Sequence, residues 1–502
     1  MLAAGRALRA TDRGVHPRVP AHSGIESEEA AVTNPIIKRF YLSIEGTLVS
    51  PLTAGSGLDE ETDNDLVLDA EGRPYLPGSS IAGAFRHYLL ASFDHEEEIK
   101  ALFGTDGGYR SRLYCNHVRF TASEAGSGNA AAISRRDGVK LDRFKTAVDQ
   151  ARYTVQTIDS GTACRIRLEW LVRENDRGRE EVEEALICAL IDALAEGTLT
   201  LGAKANRGYG RLRVESVRLK SFRHIGTGGQ ESSMAWLDWD WDRFDKQLIW
   251  ERGHSVLRSN SGRQALERLT IWHELRVKLG VAQTLMIREY IVDSVKEDYG
   301  QLLGELDGMR QAVIPGTSWA GAIRRQLTFL LEEILASTEL AAEAMRELFG
   351  PRSDEEQWGN TLQSLTASRL RVEESIVTGG VSLPTTRTAI DRFTGGVVSG
   401  ALFTTRPWAG GTTELIIRWR ESALPTLAEP SCEAICGLLI WAIRDMENGL
   451  LSIGGESGIG RGILSRQGPI LLDREPLDGR EATCGAEALR WLRESFERRA
   501  GE

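Results

Sequence analysis

The chain has 502 residues, of which 41% are hydrophobic and 26% charged, as in an ordinary soluble globular protein. No apolar run approaches the ~18 residues that a membrane-spanning helix needs, so we expect a cytoplasmic protein. The net charge of −11 argues against a protein that holds nucleic acid through an overall positive field, although it allows local basic tracks.

The N-terminal segment and the cysteines carry no targeting or metal signal. Residues 1–35 show no hydrophobic periodicity, and three arginines interrupt the apolar opening that a signal peptide would need. We therefore expect a disordered leader or a start codon placed too early. The six cysteines include no Cys-x-x-Cys pair, which favours buried thiols.

The first predicted element is a half-buried strand, because Phe40, Leu42 and Ile44 alternate with more polar residues. A helix should follow Pro77-Gly78, with Ser79 or Ser80 as its N-cap, since apolar residues recur at helical spacing (Ile81, Phe85, Tyr88 and Leu89). Residues 162–170 predict a further strand. A second amphipathic helix should then end at a left-handed glycine, Gly197.

The second half repeats these elements in the same order. Pro315-Gly316 precedes a helix with Thr317 or Ser318 as its expected cap, residues 412–419 predict a strand, and Gly449 should end the last amphipathic helix. The offset between the halves rises slowly, from 315 − 77 = 238 at the Pro-Gly elements to 454 − 202 = 252 at two glycine-rich loops. Such a drift indicates a duplicated module with small loop insertions.

Each half fits a βαββαβ order, the ferredoxin-like or RRM-like sandwich of an α+β protein. We expect a leader at 1–35, a first domain at 36–222, a connector at 223–268, a second domain at 269–470 and a helical extension at 471–502. Trp236, Trp239 and Trp241 of the connector should pack on one or both domains, because a solvated stack of tryptophans is costly.

Four short motifs occur in the same order in each half. They are Pro-Gly-Ser/Thr-Ser-x-x-Gly-Ala-x-Arg (77–86 and 315–324), Leu-Phe-Gly (102–104 and 348–350), Ile/Leu-Asp-Arg-Phe (141–144 and 390–393) and the glycine-rich loops (202–211 and 454–462). These motifs resemble the RAMP superfamily of CRISPR-associated proteins, and within it the backbone subunits of type III effector complexes. The resemblance implies two tandem RAMP domains with thumb-like hairpins at 142–161 and 391–410, other type III effector subunits as partners, and no membrane.

The resemblance also implies binding of a guide (CRISPR) RNA and of a complementary target RNA that pairs with it. Glycine-rich turns and helix N-termini can approach phosphates closely, and basic side chains add charge-assisted contacts. The predicted RNA contacts are Gly78, Ser79, Ser80, Arg86, Arg143, Gly202, Lys204, Arg207, Gly208, Tyr209, Gly210 and Arg211 in the first half, and Gly316, Thr317, Ser318, Arg324, Arg392, Gly454, Gly455, Gly460, Arg461 and Gly462 in the second. A purely structural turn is the alternative for the glycines. Because Glu456 stands where Lys204 does, the second loop should grip RNA less firmly or differently.

An acidic loop precedes the first Pro-Gly element, where active family members carry a catalytic aspartate. Asp63 stands six residues before Asp69, as in the family's pattern, so the resemblance implies that Asp63 is catalytic, with Asp65 as the near alternative. Asp63 and Asp69 would hold Mg²⁺ or another divalent cation, which could help a ribose 2′-OH attack the adjacent phosphorus. Asp298 and Asp307 are the candidate equivalents in the second half, although their spacing differs. The alternative for each carboxylate is a solvated loop.

The sequence therefore predicts a guide-RNA-binding backbone subunit of a type III CRISPR interference complex in antiviral defence, with a metal-dependent endoribonuclease site in the first module. Two alternatives stay open. One is a non-catalytic RNA-binding scaffold. The other is a guide-processing endoribonuclease, for which no histidine-based site can be assembled from the sequence.

Overall fold

The computed structural model describes most of the chain, in the ranges 34–57, 62–105, 108, 110–121, 133–142, 144–223, 230–244, 246–249, 266–290, 298–306, 309–351, 367–424 and 429–497. These residues form a mixed α/β fold with several antiparallel sheets. Arg143, Asp307 and the leader up to residue 33, about which the sequence makes predictions, lie outside these ranges.

An antiparallel sheet forms the first half, with β1 (Ile36–Leu48) at its centre. The other strands are β2 (Tyr75–Leu76), β3 (Leu113–Cys115), β4 (Val118–Thr121), β7 (Ala163–Arg173), β8 (Leu212–Arg223) and β9 (Lys246–Ile249). In the described residues the order is β2-β4-β7-β1-β8-β9, and β3 also pairs with β7. The helices are α1 (Gly78–Ser92), α2 (Glu96–Phe103) and α3 (Glu180–Glu196). Apolar side chains of α1 and α3 share one core with the sheet.

The connector packs on the first half. Trp236, in helix α4 (Gln230–Leu237), donates its indole N–H to the Tyr41 hydroxyl at 2.7 Å. The rings of Trp239 and Tyr41 lie 4.2 Å apart, and the Arg39 guanidinium lies 4.4 Å from the Trp236 ring centre. The expected packing of the tryptophans on a domain is confirmed.

The second half repeats the first, with β10 (Thr270–Val281) at the centre of its main sheet. The other strands of this sheet are β16 (Leu370–Val372), β22 (Thr412–Ser422), β23 (Leu464–Leu472) and β24 (Glu475–Pro476), in the order β16-β22-β10-β23-β24. The helices are α5 (Gly316–Leu335), α6 (Thr338–Phe349), α7 (Cys432–Glu447) and α8 (Glu481–Leu492). Trp170 on β7 and Trp419 on β22 are both fully buried at matching positions.

A two-stranded hairpin projects from each half. The first is β5 (Ile133–Leu141) with β6 (Ala147–Ile158), and the second is β19 (Thr385–Ile390) with β20 (Val397–Arg406). Only the turn and the second strand of each hairpin lie in the stretches predicted to be thumb-like, 142–161 and 391–410, because β5 and β19 precede those stretches. Shorter strands complete the second half: β11 (Thr284–Leu285), β12 (Arg288–Tyr290), β13 (Tyr299–Gln301), β14 (Leu303–Leu306), β15 (Met309–Ile314), β17 (Ser375–Val377), β18 (Val381–Ser382) and β21 (Trp408–Ala409).

The predicted caps of α1 and α5 are wrong. Pro77 and Pro315 occupy the N-cap positions in extended conformation, and no side chain caps either helix. Ser79 and Ser80, like Thr317 and Ser318, therefore lie in the first helical turn. The predicted left-handed stops are confirmed, since Gly197 and Gly449 both have φ of 74°.

The six cysteines are all free thiols, four of them buried. None of the helices in the described ranges is long and apolar enough to cross a bilayer.

Candidate nucleic-acid interface

Asp63 is attached to the root of the first hairpin. Its backbone N–H donates to the Thr154 carbonyl at 3.0 Å, and the Thr154 N–H donates to Asp63 Oδ2 at 2.6 Å. The Thr154 hydroxyl in turn donates to Asp137, across the hairpin, at 2.6 Å. Strand β6 thus fixes one carboxylate oxygen while the residue itself stays exposed.

Asp298 has the same attachment in the second half. Its N–H donates to the Thr404 carbonyl at 2.8 Å, and the Thr404 N–H donates to Asp298 Oδ2 at 2.9 Å. Thr154 and Thr404 hold matching positions in β6 and β20, opposite Asp137 and Thr386. Backbone pairing therefore brings Asp298 to the position of Asp63 despite the altered loop length.

Asp65 and Asp69 close their own turns. Asp65 is buried and accepts hydrogen bonds from the Thr62 N–H at 2.9 Å and the Thr62 hydroxyl at 2.7 Å. Asp69 accepts from the Arg73 N–H at 2.9 Å and from Arg73 Nε at 3.0 Å. These bonds, the backbone one first, hold the pKa of Asp69 below its usual value. Both carboxylates have structural partners, and the pairing of Asp63 with Asp69 at a cation stays a prediction.

The predicted carboxylates could hold a divalent cation only if RNA supplied further ligands. Among the described residues, no group of three or more His, Cys, Asp or Glu side chains could hold a metal ion. Mg²⁺ is commonly bound through one or two carboxylates together with substrate phosphates and water. The exposed Asp63 and Asp298 suit that mode, in which the protein does not build a complete cage.

Lys204 lies beside the strand segment that holds Asp63. It has a left-handed backbone, with φ of 60°, before the 3₁₀ turn Ala205–Arg207. Its ammonium lies 4.9 Å from the Tyr153 ring centre and 5.9 Å from that of Tyr209. Burial, and then the charge of Arg207, lower the pKa of Lys204. The first glycine-rich loop, the hairpin root and Asp63 thus share one face, where Arg207 is exposed.

The second loop exchanges this lysine contact for an ionic cluster. Glu456 repeats the left-handed backbone of Lys204, with φ of 59°. Its carboxylate lies 2.8 Å from Arg387, 2.8 Å from Arg461 and 3.7 Å from Arg288. Three cations surround one anion, so the neighbourhood of the loop stays positive. Weaker or different RNA contact by this loop stays a prediction.

Several predicted RNA contacts have structural partners. Arg324 donates to the Gly350 carbonyl at 3.3 Å and lies 5.7 Å from the Phe349 ring centre, which joins the first two motifs. Arg211 binds Glu373 of the other half. Arg461 and Tyr209 are buried, and burial raises the pKa of Tyr209 to about 12. We assign these four side chains to the framework of the interface.

Most of the predicted glycines are required by close packing of the loops. A Cβ at Gly210 or Gly462 would overlap the carbonyl of Leu201 or Ile453, at 1.7 and 1.9 Å. The same holds at distances of 2.1 to 2.5 Å for Gly78, Gly202, Gly208, Gly316 and Gly454, and Gly455 donates its N–H to Met286. The structural-turn alternative accounts for these residues. Ser79 and Ser80 remain exposed at the start of α1, Thr317 and Ser318 are half-buried, and Arg86 is half-buried on α1.

Sequence reasoning named Arg392 but missed the phenylalanine side chains that the hairpin tips display. Asp142 accepts hydrogen bonds from the Phe144 and Thr146 N–H groups, and Asp391 similarly accepts from the Phe393 and Thr394 N–H groups. These turns leave the Phe144 side chain 79% exposed and that of Phe393 99% exposed, with Arg392 exposed beside it. The Asp-Arg-Phe motif is the signal that could have identified them.

The comparisons with known proteins give one family. A model of the RAMP superfamily matches residues 45–213 and 224–465. No curated protein matches the sequence significantly. A chain from the "Cryo-EM structure of the Type III-B Cmr-beta bound to cognate target RNA" is 17% identical, with a TM-score of 0.29, over 37% of this chain and 61% of that chain. The match thus spans less than two thirds of that chain, and so weak a likeness supports no conclusion.

Proposed function

This chain belongs to the RAMP superfamily, and we propose that it is a guide-RNA-binding backbone subunit of a type III CRISPR interference complex in antiviral defence. The observation that carries the proposal is the duplicated attachment of an aspartate to a hairpin root. Asp63 is bound to Thr154 and Asp298 to Thr404, each through one backbone bond and one bond from the threonine N–H to the carboxylate. Each half therefore presents a carboxylate, a projecting hairpin and a glycine-rich loop.

We infer that each half is a ferredoxin-like module. In the first half, β8, β1, β7 and then β3 and β4 lie side by side, with α1 and α3 packed on the sheet. The second half shows the matching order β23, β10, β22 and β16. This arrangement supports the predicted βαββαβ sandwich, in which both hairpins are insertions.

Guide RNA would lie along the face that holds the first loop. Lys204 and Arg207 would contact phosphates there, and Ser79 and Ser80 lie at the positive N-terminus of α1. In the second half, Arg288 and Arg387 would take the part of Lys204, with Glu456 holding them in place. None of these contacts reads a base, so base pairing between guide and target supplies the sequence specificity.

Target cleavage would occur where a hairpin tip disturbs the guide–target duplex. Phe144 or Phe393 could displace a base, which frees the neighbouring linkage to reach in-line geometry. The ribose 2′-oxygen then bonds to the adjacent phosphorus while the bond to the 5′-oxygen breaks, leaving a 2′,3′-cyclic phosphate and a 5′-hydroxyl. Asp63 and Asp298 would hold Mg²⁺, which when bound supplies positive charge to the phosphate oxygens.

RNA binding is tested by measuring guide affinity as a function of salt. Replacing both Lys204 and Arg207 by Gln should weaken binding and lower the slope of log K against log[salt] by about 0.7 per lost phosphate contact. Arg177→Gln is the matched control, since Arg177 is exposed and pairs with Glu174 at 2.9 Å, away from the loops. Equal affinities for the variant and the control would contradict the proposed RNA face.

Cleavage assays separate the proposed enzyme from its rivals. The guide-loaded complex should cut a labelled target RNA with Mg²⁺ and leave it intact with a chelator. Failure to cut under any condition, with guide still bound, would identify a scaffold. Cleavage of precursor guide RNA in the presence of chelator would instead identify a guide-processing endoribonuclease.

A further inference from the structure

The two halves meet in a joint that brings backbone against backbone. The loop residue Gly208 lies against the turn after β16, where an added Cβ would be 2.5 Å from the Glu374 nitrogen. On the other side, a Cβ at Gly316, at the start of α5, would be 2.3 Å from the Arg207 carbonyl oxygen. The first glycine-rich loop is therefore seated on the helix start and sheet edge of the second half.

An ionic network on the second sheet completes this joint. Arg211 of the first half binds Glu373, which also binds Arg418. Arg418 Nε in turn donates to Glu274 at 2.8 Å. Glu274 and Arg418 are neighbours on β10 and β22, so the first half docks on this face of the second sheet.

The second glycine-rich loop is the twin of the docked one, and its face is open. The Ile453–Gly462 backbone bond repeats the Leu201–Gly210 bond, so Gly460 and Ile463 stand where Gly208 and Arg211 stand. No described atom lies within 4 Å of a Cβ added at Gly460. Ile459, the preceding residue, is 54% exposed. Leu450, which is 66% exposed, stands where Thr198 stands in the first half, and the Thr198 carbonyl accepts a bond from Arg371 of the second half at 2.9 Å. The ionic docking face of the first half has become an apolar face in the second.

The chain itself covers the twin of the docking sheet. Tyr41 and Glu169 are paired on β1 and β7 as Glu274 and Arg418 are paired on β10 and β22. Trp236 donates to the Tyr41 hydroxyl at 2.7 Å, and the Trp239 ring lies 4.2 Å from the Tyr41 ring. Residues 230–244, hereafter the Trp segment, thus cover the equivalent of part of the sheet face on which the first half docks.

We propose that the Trp segment is an internal cover that prevents a second copy of this chain from docking on the first half. One docking surface of the chain then remains uncovered, the apolar face of Leu450, Ile459 and Gly460. Its partner is the helix start and sheet edge of a different RAMP-type subunit, one with uncharged residues in place of Glu373 and Glu374. The identity of that neighbour rests on the proposed function, whereas the cover does not.

The cover is needed because the face beneath the Trp segment and the Leu450–Ile459 face of a second copy could otherwise bind each other. Beneath the Trp segment lie aromatic side chains, among them Tyr41 and Phe222. An aromatic face and an exposed Leu450–Ile459 face would associate by burial of apolar area, and Ile463 leaves the second loop without the docking charge that Arg211 supplies in the first. Head-to-tail contact of this kind uses two different surfaces, so it would build chains of copies that form rings or filaments according to the rotation between them.

The test is the mass of the RNA-free protein in solution, measured by sedimentation velocity over a range of concentrations. The wild type should remain a monomer. Replacing Trp236 and Trp239 by Ala should release the cover and produce concentration-dependent dimers and longer species. Adding Leu450→Glu and Ile459→Glu to that variant should restore the monomer, because the opposite end can no longer dock.

Two outcomes would overturn the proposal. One is a folded Trp236→Ala/Trp239→Ala protein that stays monomeric, and the other is self-association that the two Glu substitutions leave unchanged. Folding is checked by the near-UV circular dichroism of each variant. In the assembled complex, Leu450→Glu, which lies outside the glycine-rich loop, should lose the neighbour at that end while guide RNA stays bound, and retention of that neighbour would also contradict the proposal. Since the sedimentation assay contains no RNA, its failure is distinct from failure of the RNA function.

Discussion

Substituting alanine for two equivalent glycines, Gly208 and Gly460, should measure how much the contact between the halves contributes to stability. Gly208 and Gly460 have nearly the same backbone, with φ of 79° and 82°. A Cβ at Gly208 would lie 2.5 Å from the Glu374 nitrogen and 2.8 Å from the Glu373 Cα, whereas one at Gly460 meets no described atom within 4 Å. The two substitutions therefore share the backbone cost and differ in the steric one.

The difference can be estimated from known costs. A left-handed backbone costs a non-glycine residue roughly 1–2 kcal/mol, and this applies equally at both positions. Forcing atoms into an already packed contact typically costs about 1–3 kcal/mol more. The atoms that a new Cβ would meet at Gly208 belong to the backbone and cannot rotate away. Gly208→Ala should therefore lower the free energy of unfolding by about 1–3 kcal/mol more than Gly460→Ala does.

Hydrogen exchange read by mass spectrometry is the assay. Gly208→Ala should reduce protection both in its own loop and in residues 370–377 of the other half, while Gly460→Ala should affect its own loop alone. Equal changes for both variants, or unchanged protection at 370–377, would refute the reasoning about the joint.

Three further predictions concern charge and the hairpin tips. Although burial opposes it, the hydrogen bond of His273 to Asp473 at 2.8 Å, followed by its interaction with Cys432, raises the His273 pKa to about 10. This stabilisation is complete below the unfolded pKa of ~6.5 and is lost as pH rises towards 10. The melting temperature of the wild type should therefore fall between these pH values, and that of His273→Gln should fall less steeply. Parallel curves of melting temperature against pH would contradict this. Glu456→Gln should remove the carboxylate that holds Arg288 and Arg387 in place and weaken guide binding, as measured by filter binding, and unchanged or tighter binding would contradict the assigned part of Glu456. Phe393→Ala should slow one target cut without changing guide affinity, and an unchanged cutting rate would remove the hairpin tip from the mechanism.

Local pattern was sufficient to predict the duplicated elements. The stripe Ile81, Phe85 and Leu89 faces the core as its spacing requires, and Gly197 ends its helix with positive φ. The caps at Ser79 and Ser80 were wrong because proline already fixes the extended residue before the helix.

The joint and the second loop could not be read from the sequence, because both depend on distant partners. Arg211 and Glu373 are 162 positions apart, and nothing local marks the arginine as a partner of the other half. The exchange of Lys204 for Glu456 is visible in the sequence, but its structural consequence is not. Its compensation by Arg387 becomes clear only when the hairpin lies beside the loop.

The central claim is that each half cuts target RNA with its own hairpin-bound aspartate. The most direct measurement is a map of the cut positions made by the guide-loaded complex with Mg²⁺, comparing wild type with Asp63→Ala, Asp298→Ala and the double variant. Each single substitution should abolish a different cut, and the double variant should abolish both while still binding guide and target. Persistence of every cut in the double variant would contradict the account and leave the chain as a scaffold.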